Sequence, residues 1–97
     1  MVQQINDNDM TDYKDICRKA VMKYGISSQV DMAHEEMGEL SVALNHFKRG
    51  RGTMDEVITE IADVAIMTYQ LALIFGEAKT KAEIERKLMR LKNRMEK

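Results

Sequence analysis

Apolar residues recur at alternating spacings of three and four along four stretches of the chain, and glycines fall between most of them. This period predicts four amphipathic helices. In the first, Tyr13, Ile16, Cys17, Ala20, Val21 and Tyr24 form the stripe, Thr11 or Asp12 is the cap, and Gly25 is the stop. The second is predicted from a Ser27 or Ser28 cap to about Arg49, with the seam Val30, Ala33, Met37, Leu40, Leu44 and Phe47. Thr53-x-x-Glu56 reads as a capping box opening a third helix that runs to Gly76, and Thr80-x-x-Glu83 as another opening a fourth, with the seam Ile84, Leu88, Leu91 and Met95. Residues 1–10 show no period and read as a mobile lead-in; residues 11–97 read as one helical domain.

Composition agrees with packed helices. There is no proline, 44% of residues are hydrophobic and 32% charged. The expected class is therefore all-α, an antiparallel four-helix bundle-like domain. The third helix is apolar around nearly its whole circumference, so three companions of this size barely cover it. A subunit interface, as homodimer or homotetramer, is the expected remedy.

Fifteen basic residues balance sixteen acidic ones, which excludes nucleic-acid binding through bulk charge. The single Cys17 excludes an internal disulfide and a cysteine zinc site, and its place in an apolar stripe reads as a small buried hydrophobe. No apolar run is expected to reach transmembrane length and no signal-peptide pattern is read, so the expectation is a soluble cytoplasmic protein with no membrane partner.

Candidate chemistry lies in two acidic pairs. On a helix, residues three apart share a flank about 60° wide, so Glu36 pairs with Glu39 and Glu60 with Asp63. Gln29, Met32, Glu36, Glu39 and Ala43 form a stripe beside the core seam, while Glu56, Glu60, Asp63, Met67, Leu71 and Ile74 form one on the third helix. Small and polar residues beside a seam leave room for a ligand. Four converging carboxylates repel one another and lose hydration, and a divalent cation offsets both costs. Oxygen-only ligands favour Mg²⁺ or Mn²⁺. The competing account is a set of solvated surface acids paired with Lys and Arg. Glu35 projects nearer to solvent than Glu36 and Glu39, Glu56 is a candidate supporting acid, and His34 points away from the pair.

The pattern Glu35-Glu36-x-x-Glu39, a spacer of twenty residues and Glu60-x-x-Asp63, with Lys23-Tyr24-Gly25-Ile26 before it, Phe47-Lys48-Arg49-Gly50-Arg51 inside it and a basic run from Lys87 to Arg94 after it, resembles the MazG-like all-α nucleoside triphosphate pyrophosphohydrolases. The resemblance spans roughly residues 13–95. It implies Mg²⁺-dependent hydrolysis of a nucleoside triphosphate to monophosphate and pyrophosphate. Glu36, Glu39, Glu60 and Asp63 would be metal ligands, with Glu35 joining them as a catalytic acid. It also implies that basic residues of the last helix meet the triphosphate; Lys87, Arg90 and Arg94 are the candidates, with Lys48 from the basic turn. Gln29 and Met32 are the candidates for nucleoside contact. Gly38 stands at a position that often holds Ala in the family and His34 at one that is often aliphatic, which puts the local packing in question. A phosphoribosyl-ATP pyrophosphohydrolase shares the architecture, and a helical interaction module with purely structural acids is the non-enzymatic alternative.

Overall fold

The computed structural model describes residues 10–97, which form four helices and, among the described residues, no strand: α1 (Met10–Tyr24), α2 (Ile26–Lys48), α3 (Met54–Phe75) and α4 (Glu77–Met95). The expected lead-in lies outside the described residues except for Met10, which is the first residue of α1. Thr11 and Asp12 are therefore inside the helix and not at its cap.

The junctions follow the glycines more closely than the hydroxyls. Gly25 ends α1 by donating its N–H to the Val21 carbonyl at 2.9 Å, and at φ 90° it also serves as the N-cap of α2. Without a Cβ it takes this conformation cheaply, so neither Ser27 nor Ser28 caps α2. Thr53 caps α3 as expected: its Oγ1 accepts from the Glu56 N–H at 3.2 Å and the Glu56 carboxylate accepts from the Thr53 N–H at 3.4 Å. The second expected capping box is not formed. Gly76, at φ 140°, both ends α3 and starts α4, and Thr80 sits one turn inside, its hydroxyl donating to the Gly76 carbonyl at 2.7 Å. A hydroxyl four residues into a helix satisfies itself on the preceding turn, which leaves it no capping role.

The packed pair of α2 and α3 is the main packing unit. α1 lies against both helices, and α4 packs on α3 alone apart from a side-chain ion pair to α1. The core is small: Cys17, Ala33 and Met67 are its buried hydrophobic members, joined by Gln29 and Gln70. Burial raises the Cys17 thiol pKa, as fits an inert packing residue. Where α1, α3 and α4 meet, the Tyr13 and Tyr69 rings lie 5.5 Å apart at 57°, and the Tyr69 hydroxyl donates to Glu77 Oε2 at 2.7 Å. Lys14 Nζ stands 3.9 Å from the same carboxylate.

The predicted seams of α2 and α4 are largely uncovered. On α2, Ala33 is buried and Val30 and Leu40 are half-buried, but Met37, Leu44 and Phe47 are exposed. On α4 the whole seam of Ile84, Leu88, Leu91 and Met95 is exposed. The chain presents 8069 Å² to solvent, against about 5,700 Å² for a compact monomer of its mass. Its radius of gyration is 15.8 Å, where about 12.5 Å is usual.

By length and composition α3 reaches the measure of a membrane span, contrary to the expectation that no segment does. It nevertheless turns Glu60 and Asp63 toward α2, and hydrocarbon is a costly place for such groups.

Candidate metal centre

The pairing of α2 with α3 brings their acidic stripes together. One carboxylate oxygen each from Glu36, Glu60 and Asp63 lie within 4.8 Å of one another, and all three residues are half-buried. Glu39 is more exposed, and its charge contributes to the raised pKa values of both Glu36 and Glu60.

Among the described residues no basic side chain forms an ion pair with this cluster: the pairs are Lys14–Glu77, Lys19–Asp15 and Arg86–Glu83. Glu36 Oε2 and Glu60 Oε2 are buried without a hydrogen-bond partner. Loss of hydration is accordingly the largest cause of the raised Glu36 pKa, followed by the charges of Glu39, Asp63 and Glu60. For Glu60, also raised, desolvation again leads, followed by Glu39 and Asp63. Oxygens that have lost water and gained no donor are arranged for a positive ion. The donors are carboxylates alone, hard oxygen ligands without nitrogen or sulfur among them.

Beside the cluster a cavity of about 730 Å³ opens between α2 and α3. Glu35, Glu39, Glu56 and Glu60 supply its acidic lining, Gly38, Val42 and Ala43 its small surfaces, and His46 and Thr59 its remaining polar groups. Its volume lies in the range of small-ligand sites. Glu35, expected nearer to solvent, is exposed yet lines this space. Glu56 lines it too while closing the Thr53 capping box. His46 went unnoticed among the sequence candidates, although it continues the row Glu36, Glu39, Ala43 by one more step of three.

The other candidates lie elsewhere. Gln29 is buried and Met32 is exposed, and neither borders the cavity. Lys48 is exposed at the end of α2, where the turn after it folds back so that the Arg49, Arg51 and Gly52 N–H groups all donate to the His46 carbonyl. Lys87, Arg90 and Arg94 are exposed on α4, which does not pack on α2. Within one chain, then, the acids converge and the expected phosphate-binding cations do not join them. His34 is exposed and stands outside the carboxylate cluster, as its helical position predicted.

No protein family, curated protein or solved structure matches the chain in comparisons with known proteins.

Proposed function

We propose that the chain is a Mg²⁺-dependent nucleoside triphosphate pyrophosphohydrolase, cleaving between the α and β phosphates to release a nucleoside monophosphate and pyrophosphate. The observation that carries this reading is the pair of buried, donor-free oxygens on Glu36 and Glu60 with Asp63 alongside, next to a cavity large enough for a nucleotide. The resemblance of the two acidic motifs to the MazG-like enzymes supplies the reaction class.

Glu36, Glu39, Glu60 and Asp63 would hold the ion. When bound, Mg²⁺ neutralises phosphate oxygens and lowers the pKa of an attacking water. Glu35 lines the cavity without belonging to the tight carboxylate cluster, which suits it to accept a proton from that water. The small surfaces of Gly38, Val42 and Ala43 leave space for the nucleoside, and half-burial of the acids limits competing water. The register that brings Glu36 to Asp63 supports an antiparallel α2–α3 hairpin. The uncovered seams support assembly of that hairpin into a homodimer or homotetramer. They also favour the second reading, a helical interaction module without catalysis.

Incubation with a panel of nucleoside triphosphates and phosphoribosyl-ATP in Mg²⁺, with products resolved by chromatography, tests the proposal. Release of pyrophosphate, abolished by Glu60→Gln, is the expected result. Cleavage confined to phosphoribosyl-ATP would move the assignment to that relative. No cleavage, together with no effect of metal on melting, would leave the interaction module.

A further inference from the structure

Two apolar rows lie bare on neighbouring helices of this chain. On α4, Ile84, Leu88, Leu91 and Met95 are between 42% and 70% exposed, and from Lys81 onward no residue is even half-buried. On α3, opposite the buried Met67 and Gln70, Ile61, Ala65 and Thr68 are exposed and Ala72 is half-buried.

The rows have the same spacing of four, three and four. Run antiparallel, they pair one to one: Ile84 with Ala72, Leu88 with Thr68, Leu91 with Ala65 and Met95 with Ile61. Three of the four pairs set a large side chain against a small one, as interdigitating helices require. Thr68 already donates its hydroxyl to the Ala65 carbonyl at 3.0 Å, so it can offer its methyl group. After Asp63, α3 has no charged residue to oppose the pairing.

Gly76 alone joins the two helices, whereas an αα-hairpin needs about two to five linking residues. An unused motif supplies them. Thr80-x-x-Glu83 has the spacing of a capping box, yet Thr80 donates to the Gly76 carbonyl at 2.7 Å from inside the helix, and Glu83 is paired with Arg86. With α4 starting at Thr80, residues 76–79 become the loop. Phe75 then lies level with Lys81, the first residue past the cap, and each seam residue falls level with the partner named above.

The joint faces the right way for this. A cavity of about 440 Å³ opens between the end of α3 and the start of α4, with Phe75 on one side and Thr80, Glu83 and Ile84 on the other. The first turn of α4 holds the joint apart: Glu77 accepts from the Tyr69 hydroxyl at 2.7 Å and stands 3.9 Å from Lys14 Nζ.

We propose that α4 is a closing arm: residues 76–79 unwind, Thr80 and Glu83 form a cap, and the helix folds back along α3 so that the two bare rows cover each other. Closure exchanges the Tyr69–Glu77 and Thr80–Gly76 bonds and the Lys14–Glu77 pair for four buried seam contacts and a capped helix. The acid cluster takes no part, so closure is independent of the phosphohydrolase reading. The exposed seam of α2 is left as it is.

Disulfide trapping in the full chain tests this. Ala65→Cys with Leu91→Cys places two thiols on facing rows, whereas Ala65→Cys with Met89→Cys turns one of them away from α3. Cys17 is buried and stays out of reach. Under mild oxidation the first pair should close within one chain, read as a faster-migrating monomer on a non-reducing gel, and the second should not. Added to the first pair, Tyr69→Phe releases Glu77 and should speed closure about fivefold. Thr80→Ala removes the cap and should slow it about fivefold, and Thr80→Ser should restore it. Circular dichroism checks that each variant keeps its helices. No closure, equal closure of the two pairs, or rates indifferent to Tyr69 and Thr80 overturn the arm. Cross-links formed only between chains overturn it as well and assign the seam to a second copy.

Discussion

Glu36 of α2 and Glu60 of α3 meet between the two helices with a buried, donor-free carboxylate oxygen on each, inside a cluster spanning 4.8 Å. Removing one such carboxylate relieves repulsion if nothing is bound and destroys affinity if an ion is. Mg²⁺ or Mn²⁺ should therefore raise the melting temperature of the original chain, by the equivalent of about 2.7 kcal/mol at a hundredfold excess over the dissociation constant. Glu36→Gln and Asp63→Asn should melt at or above the original in EDTA and lose the metal response. Calorimetry in both conditions checks the pair of outcomes.

The same two carboxyls make stability depend on pH in a fixed direction. Their pKa values are raised, chiefly by burial, so their contribution to folding is full below the ordinary carboxylate range and is lost as pH rises through the raised values. In EDTA the melting temperature of the original chain should fall relative to a Glu36→Gln, Glu60→Gln variant as pH rises from the ordinary carboxylate range through the raised values. With Mg²⁺ the trend should reverse, because the ion binds the deprotonated site and releases protons. A metal-free difference that does not move with pH would contradict the burial of these groups.

Tyr69 gives an alkaline counterpart. Burial first, and then its hydrogen bond to Glu77, push its hydroxyl up to about 12. Its contribution is present below the ordinary value of 10.0 and is lost as pH rises toward about 12. Tyr69→Phe should cost about 1 kcal/mol at neutral pH and remove that alkaline loss, read by denaturant melts at several pH values.

The Thr53 cap yields a plainer expectation. Thr53→Ala removes the acceptor of the Glu56 N–H at the start of α3 and should cost about 1 kcal/mol. Because Glu56 also lines the cavity, the variant should weaken metal-dependent stabilisation as well, whereas Thr53→Ser should restore both.

Much of this was legible in the chain because it depends on local spacing. The helical period placed Glu36, Glu39, Glu60 and Asp63 on stripes that could meet, and the Thr53 box and Gly25 stop depend on neighbours within four residues. Thr80 misled for the same local reason: a hydroxyl four residues past a glycine bonds back to it inside a helix, and its spacing to Glu83 is that of a cap. His46 and the distance of Lys87, Arg90 and Arg94 from the acids depend on how whole helices lie together. Seams show that a face is apolar, but not whether the other helices of the chain reach it.

Gly76 has a geometric consequence. It is the sole residue between α3 and α4, so one pair of backbone angles aims a rod of 19 residues, roughly 28 Å long. A ten-degree turn there, well within what glycine tolerates, sweeps Arg94 through about 5 Å. The Tyr69–Glu77 bond, made by the first residue past that pivot, is the latch that sets the bearing of the rod.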